Sequence, residues 1–385
     1  MSNATWDADV LVLGASAAGL AAAVQLRQRG LAVELLEARD VVGGAWRSHY
    51  DRLHLHTPRT ISSLPGLPMP RSWGRYPSRD DVVRYLEVYR RHFGLAPRFE
   101  QPVTRLAPVD GGWEATTPGR TWTAPFVVVA TGRTRVPVRP TWPGLGDYVG
   151  TVLHSSEYRN GEPWRDRTVL VVGFGNSACE QALDLVEHGA HVHLAVRSAV
   201  NVVPRDVFGL VPVLQLGIVL RPVPPALADV LAAPMVRLTV GDVRRLGLRK
   251  LPYGPNTQIA QDHHIPLLDI GTIDRIRSGE IHVHPGIERF TTHGVVFDDG
   301  TQLDTDAVVL ATGYRSGVAD FLTDAALVCD EEGNPMQSGV ESLPGLYFCG
   351  MHVSPAGMLR EMGIEARRIA AAIAAQSSAS APTPG

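Results

Sequence analysis

Asp9-Val-Leu-Val-Leu-Gly14-Ala-Ser-Ala-Ala-Gly19 and Thr168-Val-Leu-Val-Val-Gly173-Phe-Gly175-Asn-Ser-Ala178 are two versions of one pattern. In each, an apolar run enters a glycine turn and an Ala/Leu-rich helix pattern follows. A second apolar run then closes the segment: Ala32-Val-Glu-Leu-Leu-Glu37 after the first, His191-Val-His-Leu-Ala-Val-Arg197 after the second. Unbroken apolar runs suit strands of a parallel sheet buried on both faces. Strand, glycine turn, helix and strand together read as a βαβ dinucleotide-binding unit.

Working outward, a second repeat supports the first. Phe126-Val-Val-Val-Ala-Thr131-Gly132 and Asp306-Ala-Val-Val-Leu-Ala-Thr312-Gly313 are apolar strands that both end in Ala-Thr-Gly, each preceded by turn glycines. The simplest architecture is α/β, with two Rossmann-like dinucleotide-binding domains, the second inserted into the first. The expected division is 1–150 for the first part of one domain, 151–300 for the inserted domain with a substrate-side insertion, 301–375 for the return segment and 376–385 for a flexible tail. Ser78 to Phe93 reads as a capped helix with Asp80 and Asp81 in its first turn and Val82, Val83, Leu86, Tyr89 and Phe93 as its core face. The apolar, Pro-interrupted stretch 200–250 reads as short helices, near a substrate entrance or simply packed.

Composition narrows the class. The chain has 385 residues, is 44% hydrophobic and carries a formal charge of -3, which suits a globular protein and argues against nucleic acid as the main partner. Three scattered cysteines, Cys179, Cys329 and Cys349, make neither a disulfide framework nor a metal site, so a reducing cytoplasm is expected. The longest apolar run, Val207 to Leu220, is interrupted by Pro212 and falls short of the roughly 18 residues a transmembrane segment needs. No signal peptide is legible at the N-terminus.

The glycine turns carry the chemistry. Backbone amides at a helix start, approached without side-chain obstruction, hold a pyrophosphate. Gly14 and Gly19 are present in the first turn, with Ser16 in place of the middle glycine. Glu37 lies 23 positions beyond Gly14, where a carboxylate accepts hydrogen bonds from a ribose diol, as in FAD. Arg197 lies 24 positions beyond Gly173, where a guanidinium suits a 2′-phosphate, as in NADPH. Two histidine pairs, His191/His193 and His282/His284, alternate along expected strands. A metal site needs three or four convergent ligands, so these and the adjacent His263-His264 read as structural or surface residues, and no metal is expected.

Tyr148-Val-Gly150-Thr-Val-Leu-His154-Ser-Ser-Glu-Tyr158-Arg159 resembles the signature of the flavin-containing monooxygenases, with Tyr where that family usually has Phe. The ending Tyr158-Arg159 differs from the Trp-containing ending of Baeyer–Villiger enzymes. Gly43-Gly-Ala-Trp46 is similar to the family's flavin segment. Tyr50-Asp-Arg-Leu-His-Leu-His56, Gly173 to Ser177, Val203-Pro-Arg205, Pro266 to Gly271 and Ala311 to Ser316 are similar to its plant YUCCA branch, which oxidatively decarboxylates an indolic 2-oxo acid. Met351 to Gly357 departs from that branch, so its substrate is not carried over.

The resemblance implies an NADPH-consuming FAD monooxygenase that delivers one oxygen atom of O2 through a C4a-(hydro)peroxyflavin to a small organic substrate. N-oxygenation, S-oxygenation and oxidative decarboxylation of a 2-oxo acid all remain open. It implies FAD contacts from Gly14, Ser16, Ala17, Ala18, Gly19, Glu37, Ala38, Gly44, Ala45 and Trp46, with Ala130, Thr131 and Gly132 nearby. It implies NADPH contacts from Gly173, Gly175, Asn176, Ser177, Arg197 and Ser198. Leu55, His56, Val103, Thr312, Gly313 and Gly350 complete the expected cofactor-binding set. His154 and Tyr158 are expected to position rather than to act as acid or base, the chemistry being flavin-borne. Two other readings compete: a dithiol or disulfide reductase, which the absence of a close cysteine pair disfavours, and a flavin-binding redox sensor without turnover. Oligomeric state stays open, a homodimer being one option.

Overall fold

Both quoted stretches fold as strand, glycine turn and helix in the computed structural model, which describes residues 6–220, 222–262, 264–354 and 356–380. His263 and the tail beyond Ser380 lie outside the described residues. The chain forms two compact units. The first comprises Met1–Arg47, Pro58–Val136 and Tyr314–Gly385; the second comprises Ser48–Thr57 and Pro137–Gly313.

In the first unit the sheet order is Val33–Leu36, Val10–Leu13, Phe126–Val129, Leu346–Phe348, Glu341–Leu343, parallel except for the last pair. Strand Val10–Leu13 is buried throughout, as its unbroken apolar run requires. Arg105–Val109, Gly112–Thr117 and Arg120–Ala124 form a three-stranded antiparallel sheet whose inward residues include Trp113, Ala115 and Trp122. Helix Arg79–His92 starts at Ser78, whose hydroxyl accepts from the Asp81 amide while the Asp81 carboxylate accepts from the Ser78 amide. Its buried face is Val82, Tyr85, Leu86 and Tyr89. Val83 and Phe93 are only half-buried, because Tyr85 and Tyr89 point inward and donate to the carbonyls of Leu67 and Pro65.

The second unit repeats the scheme with five parallel strands in the order Ile281–His284, His191–Ala195, Thr168–Val172, Ala307–Leu310, Thr151–His154. An antiparallel sheet of Ile287–Phe290, Gly294–Phe297 and Gln302–Asp304 packs Phe290, Val295 and Phe297 with Leu170, Val308 and Leu310.

Three readings of the sequence are corrected. The boundary expected at residue 300 falls at 313, because Ala307–Leu310 is bonded between Thr168–Val172 and Thr151–His154. The boundary expected at 150 falls at 136, and Ser48–Thr57 joins the second unit because Tyr50 and Leu53 pack into the core formed with helix Asn176–Glu187. The tail expected from Gln376 is helical to Ser380, since helix Met358–Ser380 buries Ile369, Ala370 and Ile373 and packs along helix Ala17–Arg27. Gln376 donates to Glu341 and to the Tyr347 hydroxyl. Among the described residues no helix is long and apolar enough to cross a membrane.

Candidate dinucleotide sites

In the first unit the turn after Leu13 passes so close to the neighbouring strand that only glycine fits. Gly14 has φ +104°, and a Cβ there would lie 2.7 Å from the Ala130 carbonyl oxygen. A Cβ on Gly19 would lie 1.8 Å from the Gly14 carbonyl oxygen. Ser16 replaces the middle glycine without strain: it is the N-cap of helix Ala17–Arg27 at φ -108°, and its side chain makes no capping bond. The helix has no acidic residue in its first turn, and Ala17 and Ala18 are buried there. An anion meets open amides and the positive end of the helix dipole.

Glu37 is buried at the end of Val33–Leu36. One carboxylate oxygen accepts the Ala15 amide at 2.6 Å and the other the Arg39 amide at 2.9 Å. It therefore stabilises the glycine turn itself, and its remaining lone pairs are the ones a ribose diol can use. Ala38 is exposed beside it. Ala130, Thr131 and Gly132 follow the neighbouring strand. The Thr131 hydroxyl is buried with no hydrogen-bond partner, which fits a polar ligand atom at this strand end. Gly44 and Trp46 lie in the helical turn Gly44–Arg47, with Ala45 exposed, and the Arg39 guanidinium donates to the Gly44 carbonyl at 2.5 Å. Val103 is a half-buried part of the core next to the antiparallel sheet.

Two residues of this rim, Glu365 and Arg133, were missed in the sequence. Gly350, with φ +81°, donates its amide to Glu365 at 2.5 Å, and Glu365 also accepts the Ser338 hydroxyl. Burial raises the Glu365 carboxyl above its ordinary range. The signal was present as Glu361 and Glu365, two acids at i, i+4 on a helix otherwise rich in Ala and Ile. Arg133, directly after Gly132, donates to the Met351 carbonyl at 2.6 Å and ties two strand-end loops together.

In the second unit Gly173 has φ +124°, and a Cβ there would lie 2.6 Å from the Ala311 carbonyl oxygen. Gly175 is the N-cap of helix Asn176–Glu187, and a Cβ on it would meet nothing within 4 Å. Its own chain does not require glycine there, so open approach from outside is the physical reason left. Asn176 is partly committed, its side-chain oxygen accepting the Leu268 amide at 2.9 Å. Ser177 is half-buried in the first turn, and Arg197 and Ser198 are exposed just past His191–Ala195. Thr312 donates to the Val138 carbonyl, and Gly313 has φ +90°. Leu55 and His56 fold with this unit. His56 bonds Glu180 on helix Asn176–Glu187 at 2.6 Å, and its other ring nitrogen is buried without a partner.

The signature residues clamp this unit. His154 is fully buried; its Nδ1 accepts the Ser156 amide, which leaves Nε2 to donate to the Gly313 carbonyl at 3.1 Å. Burial holds it below the ordinary histidine range, so it is a neutral strut. The Tyr158 hydroxyl donates at 2.6 Å to Asp184 on helix Asn176–Glu187, and both are buried. Burial, with that carboxylate, pushes the Tyr158 phenol far up.

Three other singled-out stretches also meet. Val202–Pro204 pairs in parallel with Leu267–Asp269, and Asn176 of the glycine turn holds Leu268. The histidines that alternate along two strands converge: His193 Nδ1 is 2.8 Å from His284 Nε2, His193 stacks on His282, and His284 stacks on Phe297. Sequence showed two pairs and no third member; parallel pairing of His191–Ala195 with Ile281–His284 supplies it. Among the described residues no group of three His, Cys, Asp or Glu could hold a metal ion. The three cysteines are free and buried, and burial raises all three thiols, that of Cys329 to about 11.

A family model described as pyridine nucleotide-disulphide oxidoreductase matches residues 11–209. Indole-3-pyruvate monooxygenase YUCCA1 of Oryza sativa subsp. japonica is 38% identical over 353 residues, covering 90% of this chain and 87% of the relative. Probable indole-3-pyruvate monooxygenase YUCCA1 of Arabidopsis thaliana is 37% identical, covering 88% of this chain and 84% of the relative. The solved flavin-containing monooxygenase from Stenotrophomonas maltophilia superposes with a TM-score of 0.74 at 25% identity, covering 97% of this chain and 100% of that one. With paired dinucleotide turns and no disulfide among buried, free cysteines, the chain is an FAD- and NADPH-dependent oxidoreductase and belongs to the flavin-containing monooxygenase family, among relatives of the YUCCA proteins.

Proposed function

We propose that the first unit binds FAD, that the second binds NADPH and is inserted into the first, and that the reaction is oxidative decarboxylation of an indolic or similar aryl 2-oxo acid. The observation that carries the substrate class is similarity of 36–38% along nearly the whole chain to relatives named indole-3-pyruvate monooxygenases. A second observation supports the branch. Three motifs distant in sequence, Gly173 to Ser177, Val203 to Arg205 and Pro266 to Gly271, meet through strand pairing and Asn176 at the start of one helix.

When bound, FAD supplies the electron transfer between NADPH and O2 that no protein side chain can provide. The protein's part is binding and orientation. Gly14 and Gly19 let the pyrophosphate approach the amides of helix Ala17–Arg27, Glu37 accepts from a ribose diol, and Thr131 offers its unpaired hydroxyl. Gly173 and Gly175 do the same for the second dinucleotide, with Ser177 beside them, and exposed Arg197 meets the 2′-phosphate. His154 and Tyr158 hold the ends of two strands and the dinucleotide helix in place. The balanced reaction takes a 2-oxo acid, O2, NADPH and a proton to the carboxylic acid shorter by one carbon, CO2, water and NADP+. The C–C bond between the carbonyl and carboxyl carbons breaks.

The test is turnover of purified holoenzyme with an indolic 2-oxo acid under 18O2. One labelled oxygen in the acid product, with stoichiometric CO2, is expected. Peroxide release without acid product, alongside oxygenation of amines or sulfides, would transfer the enzyme to the N- and S-oxygenating side. Arg197→Gln is expected to raise the KM for NADPH about tenfold or more while leaving that for NADH little changed, the loss of a charge-assisted phosphate contact.

A further inference from the structure

One face of helix Asn176–Glu187, in the second unit, carries an unusual row of acids. Ser177, Glu180, Asp184 and Glu187 are spaced three and four apart, so they stand above one another along the helix. Glu180 and Asp184 are buried, at 3% and 5% exposure. A buried carboxylate is tolerated only with a donor, and each acid of the row is met by one from outside the helix. Arg52 pairs with Glu187, the Tyr158 hydroxyl donates to Asp184 at 2.6 Å, and His56 meets Glu180 at 2.6 Å. The segment Ser48–Thr57 therefore runs antiparallel to the helix. Its two contacts lie four residues apart on the segment, about 13 Å when extended, and seven apart on the helix, about 10 Å.

The row ends at the second glycine turn. His56 is its last donor, one helical turn from Asn176 and Ser177, and its Nδ1 is buried with no hydrogen-bond partner. Among the described residues His56 is the only hydrogen-bond partner of the Glu180 side chain. Because a carboxylate only accepts, the shared proton lies on Nε2, and a ring holding that single proton presents Nδ1 as an acceptor. Sheet order gives the direction. Arg197 follows His191–Ala195, on one side of Thr168–Val172, whereas Tyr158 follows Thr151–His154, the outermost strand on the other side. The row shared by Tyr158 and His56 therefore faces away from Arg197. A dinucleotide with its 2′-phosphate at Arg197 and its pyrophosphate at the helix start extends its other half toward His56, since such ligands cross the sheet where the strand order reverses. That half offers an acceptor the O–H groups of a ribose and the N–H groups of a carboxamide.

We propose, resting on NADPH binding to the second unit, that His56 Nδ1 accepts a hydrogen bond from the nicotinamide half and that Glu180 is the positioning residue that holds the ring for it. The experiment is isothermal titration calorimetry of the oxidised holoenzyme with NADP+ and with adenosine 2′,5′-bisphosphate, which keeps the 2′-phosphate but lacks the nicotinamide half. His56→Leu is expected to weaken NADP+ about tenfold and to leave the bisphosphate within about twofold of the parent. Glu180→Leu should do the same, and the two together no more than either alone, since they act through one contact. Glu180→Gln should bind NADP+ like the parent, because its amide oxygen still accepts from Nε2. Parent-like NADP+ binding by His56→Leu overturns the proposal. So does equal weakening of both ligands, which marks a change in the helix itself. Should Glu180→Leu fail to fold, His56→Leu and Glu180→Gln decide. Absence of bisphosphate binding by the parent protein would overturn the placement of NADPH in the second unit, and the role of His56 with it.

Discussion

Replacing Tyr158 by Phe tests whether the family signature acts as a strut. The Tyr158 hydroxyl is the only donor within 3 Å of the Asp184 carboxylate among the described residues, at 2.6 Å, and both residues are buried. His188 is 3.5 Å from the other oxygen and already bonds the Asp184 carbonyl at 2.7 Å, so it is poorly placed to replace the lost donor. A hydrogen bond to a charged group contributes about 1.5–3 kcal/mol, and stranding a buried carboxylate adds to the loss, so a cost of about 2–3 kcal/mol is expected. Tyr158→Phe with Asp184→Leu should recover most of it, because removing both partners leaves nothing unsatisfied. Urea unfolding gives the free energies, and hydrogen exchange localises the loss to the amides of Asn176–Glu187. Since that helix begins at the second glycine turn, the KM for NADPH should rise several-fold with flavin content unchanged. A Tyr158→Phe protein within about 0.5 kcal/mol of the parent would refute the strut, since that is the range of substitutions away from such features.

Other outcomes follow from the same geometry. Gly19→Ala places a Cβ 1.8 Å from the Gly14 carbonyl oxygen and should yield protein that is unfolded or purifies colourless, as absorbance would show. Thr131→Val removes a buried hydroxyl with no protein partner, so the apoprotein should be as stable or slightly more stable, while flavin dissociation should increase about tenfold, as fluorescence titration would detect. Burial, aided by His284, His282 and His191, holds His193 down to about 4 against an ordinary 6.5. Its folded-state value is the depressed one, so its contribution is full above about pH 6.5 and is lost as pH falls through about 4. The urea midpoint should decline over that window, and His193→Gln should flatten the decline.

The lesson of the sequence lies in which features are local. Two glycine turns, two Ala-Thr-Gly strand ends, a capping box at Ser78 and the opposed charges of Glu37 and Arg197 are each set by a few consecutive residues or a fixed offset. They were legible because backbone sterics and strand–helix spacing act over short range. What stayed hidden depends on distant chain segments meeting. Glu365 reaches Gly350 only because helix Met358–Ser380 packs along helix Ala17–Arg27. Ser48–Thr57 belongs to the second unit only because Tyr50 and Leu53 find its core, and His56 finds Glu180, 124 positions away. Periodicity on one strand could not bring a third histidine to His282 and His284; that required the register His193↔His282 across a parallel pair. Sequence alone determined the two strand–glycine turn–helix units, because a tight turn passing close to a neighbouring strand demands glycine at particular steps. Tertiary structure alone decided which carboxylates, rings and strand ends brace them, because burial and pairing are properties of contacts and not of neighbours in the chain.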